Sequence, residues 1–168
     1  MKKRLLSILL TLCMALTLLP TAALAAEDTT ETANSTISVE TGGTTKYYDK
    51  QEEGWNAAAV ATEAVTVKLL ANWTAASTSD ALVTSFGTGA GFGGQGYIFV
   101  PANKTIILDL NGHTLDRGLG SCTEAVSEGK VISVNGTLTL KDSSSQKAGT
   151  ITGAYNLGGS AVDVQPSG

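Results

Sequence analysis

Cysteine is nearly absent from this chain of 168 residues: there are two, and only Cys122 lies beyond the first 25 positions. A single thiol closes no internal disulfide, so the chain is not a disulfide-stapled scaffold, and nothing around Cys122 assigns it a role. Histidine occurs once, at His113, without partners at ligand or catalytic spacing. Long apolar runs are also scarce, with one such run at residues 5–19 and no second. At 15 residues it falls short of the roughly 20 needed to span a bilayer. Lys2, Lys3 and Arg4 precede it, Pro20 ends it, and Ala23-Leu24-Ala25 supplies the small-x-small pattern of a signal peptidase site. Residues 1–25 are therefore expected to be a cleaved export signal, which makes the remainder secreted or cell-surface, with no membrane span after cleavage. Cys13 lies mid-run behind Leu10-Thr11-Leu12, with no small residue directly before it, so lipidation there is not expected.

Positive charge is the next shortage. The formal net charge of −4 becomes −7 once Lys2, Lys3 and Arg4 are removed. An acidic surface repels phosphate backbones, which excludes nucleic acid as a natural partner. The 143 residues after the signal match one domain in size.

Residues 26–48 are rich in Thr, Ser and Glu without sustained periodicity, and are expected to be a mostly disordered linker with a short strand at 36–40. Residues 49–64 predict one short helix. Trp55, Ala58, Ala59 and Thr62 fall at helical spacing, and Glu52 and Glu53 sit where the helix dipole favours negative charge. From residue 65 the pattern turns to strands, beginning with Val65-Thr66-Val67-Lys68-Leu69-Leu70. A Ser, Thr and Gly-rich excursion follows over 73–96. Gly87, Gly89, Gly91, Gly93, Gly94 and Gly96 invite comparison with a phosphate-cradling loop, but a strand follows them where that use needs a helix N-terminus. A flexible loop is expected instead.

Three stretches then repeat one strand-turn-strand unit: YIFV-PANK-TIILDLNGHTL (97–115), VISV-NG-TLTLKD with GTIT (131–152), and a broken copy beginning AVDV at Ala161. Ile106, Leu108 and Leu110 share one strand face, as do Leu138 and Leu140, at an offset of 32. Val100 and Val134 are 34 apart, Val164 follows 30 later, and Leu115 matches Ile151 at 36, with the surplus in the loop 143–148. Matching Asn111-Gly112 to Asn135-Gly136 at 24 instead lays Leu138 on Thr114 and unstacks the apolar columns. A period near 30 with short strands and tight turns predicts an all-β chain, a right-handed parallel β-helix whose like residues stack about 4.8 Å apart. In that register Asp109 points outward and comes within reach of Lys141. Asn111, Gly112, Asn135 and Gly136 suit corners with left-handed backbone angles, and Pro101 suits a corner where no ladder donor is needed.

The run from Val65 through IFVPANKTIILDLNGHTLDRG, GKVISVNGTLTLKDSS and GTITGAYNLGGSAVDV resembles the opening coils of right-handed β-helix proteins of the pectin-lyase-like superfamily, notably large surface or secreted proteins of Gram-positive gut bacteria. The resemblance covers roughly Trp55 onward. It implies that residues 49–64 form a helix capping the first coil and that 65–168 are the first coils of a β-helix, incomplete because a solenoid needs about three or more repeats and a cap at each end. Superfamily members include polysaccharide lyases, glycosidases and non-enzymatic adhesins, so fold alone does not choose among them.

The residues offer little catalysis. His113 in Asn-Gly-His-Thr-Leu reads as a turn or packing residue. Asp109, Asp116, Asp142 and Asp163 are the carboxylates from which a glycosidase pair or a calcium site would have to be built, and they read as solvated surface groups. The resemblance implies an arginine base beside calcium-binding carboxylates in lyases, yet Arg117 is the only arginine after the signal and no acidic cluster accompanies it. Asn34, Asn72, Asn103 and Asn135 each begin an N-x-Ser/Thr triplet, a pattern common by chance. No catalytic residue, cofactor or metal is expected. The expected function is the structural start of an exported surface protein, a non-catalytic adhesive or glycan-binding β-helix that meets polysaccharide or host glycan. The alternative is the N-terminal part of a secreted polysaccharide lyase or glycosidase with its catalytic coils elsewhere. Oligomeric state is not legible.

Overall fold

Short aliphatic and β-branched runs separated by Asn, Gly and Pro turns build strands too brief to stand alone, and most find a partner one repeat away along the chain. The computed structural model describes residues 30–77, 84–93, 96–120, 128–155, 157 and 160–166; the expected signal at 1–25 and Cys122 lie outside them. Within these residues the protein is predominantly β with one short helix. In chain order come β1 (Ile37–Thr41), β2 (Thr44–Tyr48), α1 (Gln51–Val60), β3 (Val65–Leu69), β4 (Trp73–Thr74), β5 (Ala76–Ser77), β6 (Thr84–Ser85) and β7 (Ile98–Val100). Then follow β8 (Thr105–Asp109), β9 (Thr114–Asp116), β10 (Ile132–Val134), β11 (Thr137–Lys141), β12 (Thr150–Thr152) and β13 (Val162–Val164).

Three parallel stacks organise the chain. β3, β8 and β11 form one, β4, β9 and β12 a second, and β7, β10 and β13 a third. The expected registers hold: Ile106 pairs with Leu138 and Leu108 with Leu140. Val100 pairs with Val134 and Val134 with Val164, and Leu115 pairs with Ile151. Parallel pairing lays like side chains over one another, so burial accumulates along columns. In Val67, Leu108 and Leu140 the first two are almost fully covered, while Leu140 is 43% exposed. Val100 and Val134 are buried, yet Val164, next in the same column, is 70% exposed.

Not every pairing is parallel. β1 runs antiparallel to β2 and to β3, giving a five-stranded sheet of order β11-β8-β3-β1-β2, and β5 pairs antiparallel with β6. The sheets remain open. β1 lies where a short strand was expected at 36–40, and β2 extends the order to residue 48 in place of a mostly disordered linker: Ile37 and Val39 are buried beside β3, and that burial orders a Thr-rich segment which has little periodicity of its own. Helix α1 is shorter than expected. Trp55, Ala58 and Ala59 are buried as their spacing predicts, but Thr62 lies beyond the helix end and is exposed.

The glycine-rich stretch departs from a loose loop as well. Phe86 and Phe92 are buried and meet Trp73 edge-on, with ring centroids 5.2 and 6.0 Å apart. Helix α1 holds the backbone beneath them. Asn56 Nδ2 donates to Thr88 O at 2.7 Å, Gly91 N donates to Asn56 Oδ1 at 3.0 Å, and Thr88 N donates to Glu52 Oε1 at 2.8 Å. Sequence periodicity does not reveal these contacts, because two isolated phenylalanines among glycines form no pattern.

Covered and uncovered members of one column should respond differently to truncation. Ile106→Ala is expected to cost about 2–5 kcal/mol, and Leu138→Ala, directly above it and only half-buried, distinctly less. Urea unfolding of both variants checks this; equal losses would contradict the exposure gradient.

Candidate functional site

The aspartates expected to be solvated are mostly tied to backbone. Asp109 is the plainest correction, since its side chain is only 3% exposed. Its Oδ1 accepts the amides of Asn111 at 3.0 Å and Ser143 at 2.8 Å, and its Oδ2 lies 3.6 Å from Lys141 Nζ. Lys141 is thus the expected neighbour, although the pair spans a buried acid and a half-exposed amine. Burial alone would raise the Asp109 carboxyl; the hydrogen bonds from Ser143 and Asn111 and the charge of Lys141 outweigh it and leave the pKa below the ordinary value.

Asp142 organises the surplus loop. Its Oδ1 accepts Gly112 N and Ser144 N, each at 2.9 Å, and its Oδ2 accepts Gly149 N at 2.6 Å. The Ser144 hydroxyl beside it, together with the Gly149, Ser144 and Gly112 amides, holds this carboxyl down at about 2. The amides are the firm contacts, because the hydroxyl lacks hydrogen-bond geometry toward any partner. Asp116 accepts Gly118 N at 2.8 Å. Asp163 engages Lys130 Nζ at 3.0 Å, and Glu128 lies 3.3 Å from the same amine, which sits 4.8 Å from the centre of the Tyr97 ring. Carboxylates used as loop anchors are poor material for acid-base work, and among the described residues no three metal-ligating side chains cluster.

His113 is half-buried at a turn, where its amide donates to Leu110 O and its carbonyl accepts Thr150 N. Arg117 is 1% exposed. Its Nε donates to Lys130 O at 3.1 Å, its Nη1 donates to Thr84, and its guanidinium lies 5.8 Å from the Phe86 ring centre. Burial lowers its pKa to about 10. Arg117 therefore fastens β6 to the strands around it, a role that a lone arginine in sequence does not announce.

Among the features open to solvent, two lie on the stacked strands and turns. The first is a polar cleft of about 430 Å³ over the turns β7–β8 and β10–β11, lined by Asn103, Lys104, Thr105, Asn135, Gly136 and Thr137 among others. Two N-x-Thr triplets meet here, with Thr105 and Thr137 as register partners. Asn103 has φ 63, whereas Asn135 and Gly136, expected in left-handed corners, do not. Gly136 is needed for closeness: a Cβ there would lie 2.4 Å from Pro101 O and 2.5 Å from Lys104 O. Asn111 and Gly112, with φ 49 and 81, do adopt the left-handed corner. The second feature is apolar, where Leu138, Leu140, Val162 and Val164 line the outer end of the stacks. Of the other triplets, Asn34 is exposed and Asn72 Oδ1 accepts Thr114 N at 2.9 Å.

Removing an anchor should cost more than removing its surface partner. Asp109→Ala leaves the Asn111 and Ser143 amides without acceptors, an expected loss of about 1–3 kcal/mol for each amide that stays buried, against about 0–1 kcal/mol for Lys141→Ala. Chemical denaturation of the two variants measures the difference. Because the Asp109 and Asp142 carboxyls both lie below the ordinary value of 3.8, their stabilisation is complete above it and is lost as pH falls through their lowered values, about 2 for Asp142. Asp142→Asn is expected to be less stable at neutral pH and to unfold with a shallower acid dependence, read by circular dichroism; an unchanged acid profile would show that Asp142 does not carry the effect.

Compared with known proteins, the chain matches no family model, no curated protein and no solved structure.

Proposed function

We propose that the protein is the structural start of an exported bacterial surface protein, the opening coils of a right-handed parallel β-helix of the pectin-lyase-like kind, and that it serves adhesion or glycan binding rather than catalysis. The observation that carries this reading is the set of three parallel stacks in register, at offsets of 30 to 36 from β7 onward and of 41 and 42 back to β3 and β4. A strand that returns parallel to its predecessor through a crossover takes the right-handed sense in nearly all proteins, which supports the handedness. Helix α1, with Trp55 fully buried and its Nε1 donating to Phe99 O at 3.4 Å, suits the cap of a first coil. The apolar columns that end in half-exposed Leu140 and exposed Val164 suit continuation by a further coil.

The sequence supplies the address, since residues 1–25 carry the pattern of an export signal. Chemistry supplies the rest of the preference. Asp109, Asp116, Asp142 and Asp163 are tied to amides or to Lys130, whereas the turn cleft offers hydroxyls and amides of the type that meet sugars. Extracellular glycan is the matching partner class.

Incubation with immobilised neutral and acidic polysaccharides, in parallel with a depolymerisation assay in calcium, tests the proposal. Retention without new reducing ends or unsaturated products is expected. Cleavage would replace the adhesive reading with the alternative of a polysaccharide lyase or glycosidase, and absence of any retention would remove glycan binding.

A further inference from the structure

The two N-x-Thr triplets at the β7–β8 and β10–β11 turns, Asn103-Lys104-Thr105 and Asn135-Gly136-Thr137, stand one repeat apart at the same offset of 32 that relates β8 to β11. Thr105 and Thr137 are register partners and stand at the spacing of adjacent parallel strands, about 4.8 Å, while Asn103 and Asn135 line the same cleft from turns of unequal length. None of the Asn103, Thr105, Asn135 and Thr137 side chains hydrogen-bonds within the described residues, and Asn103, Thr105 and Thr137 are exposed. The polar side chains at the neighbouring corner behave oppositely: Asn111 Nδ2 donates to Leu69 O at 3.0 Å, and Asp109 and Asp142 accept amides. One corner is closed on itself, and the other presents its donors and acceptors outward.

The backbone beneath the open corner is fixed. Thr137 N donates to Lys104 O at 2.8 Å, Asn135 N to Val100 O at 2.9 Å, and Gly136 packs so closely on Pro101 O that no side chain fits there. Preorganised groups lose little freedom on binding, which suits recognition of a hydroxyl-rich ligand. Among the described residues Lys104 contributes the only charge in the lining, and its Nζ already donates to Ala61 O at 2.6 Å. Among its described residues the cleft thus has hydrogen-bonding capacity without a freely offered charge and without an aromatic stacking platform.

We propose that this turn cleft binds a linear, neutral glycan that lies along the stacking direction and is contacted through Asn103 and Thr105 at one level and Asn135 and Thr137 at the next. The inference rests on the glycan-binding reading above and deepens it by naming the site and the ligand class. Each Asn carboxamide supplies donors and an acceptor, and each Thr hydroxyl supplies both, so successive sugar hydroxyls find complementary groups at each level. Two levels and no aromatic contact make the interaction weak for one molecule, and repetition of the unit or of the molecule on a surface raises it by avidity.

The test is amide-resolved NMR titration of the chain with cellohexaose, xylohexaose and laminarihexaose as neutral probes and hexagalacturonate as the acidic one. At least one neutral probe is expected to shift the amides of Asn103, Thr105, Gly136 and Thr137. Replacing both asparagines, Asn103→Ala with Asn135→Ala, is expected to raise its Kd about tenfold, as loss of two modest hydrogen bonds does, with the circular dichroism spectrum unchanged. Binding that moves other amides, or that survives the double substitution, would overturn the cleft while leaving glycan binding intact. Preference for hexagalacturonate at the cleft would overturn the neutral class, and no binding by any probe or polysaccharide would overturn both readings.

Discussion

Coverage of each aliphatic side chain by its counterpart one repeat later is the interaction on which the rest of the structure depends. Strands of two to five residues bury too little alone to offset the entropy of ordering them. Parallel pairing at fixed register solves this by making columns, and Ile98, Ile132 and Val162, or Val100, Val134 and Val164, show the result. Because apolar burial is roughly proportional to the area removed from water, a column is stabilised member by member and is weakest at its last one.

The turns carry the second constraint. Stacked strands bring stacked corners, and each corner must satisfy its own polar groups. At the β8–β9 corner the solution is internal: Asp109 and Asp142 accept five amides between them, and Asn111 reaches down to Leu69 O. At the β7–β8 corner the backbone is tied level to level while the side chains face outward. This contrast, more than any charge cluster, separates the part of the surface that maintains the fold from the part free to meet a ligand.

The amino-terminal elements resolve a problem that parallel stacking creates. A first strand has no predecessor to cover its edge, and an uncovered edge invites association. The β1–β2 hairpin pairs with β3, and α1 lays Trp55, Ala58 and Ala59 on the sheet beside it. Phe86 and Phe92, gathered around Trp73 and held by Asn56 and Glu52 of α1, extend that cover.

Much of this architecture was legible in the residues. Alternation within strands and offsets of 30 to 36 between them specified every parallel register from β7 to β13, because a slip of one position would turn each apolar side chain to the wrong face. Helical spacing of Trp55, Ala58 and Ala59 located α1. The candidate cleft was half legible: both N-x-Thr triplets stand in the sequence, but only the packing of Gly136 on Pro101 shows that they share one concave surface. The strand expected at 36–40 is β1, but its partner β2, the burial of Asp109 and the anchoring role of Arg117 were decided by tertiary structure alone. The physical reason is common to all three. Periodicity records which face of an element turns inward, whereas the order of a weakly patterned segment, or the fate of a single charged side chain, depends on what distant parts of the chain bring against it.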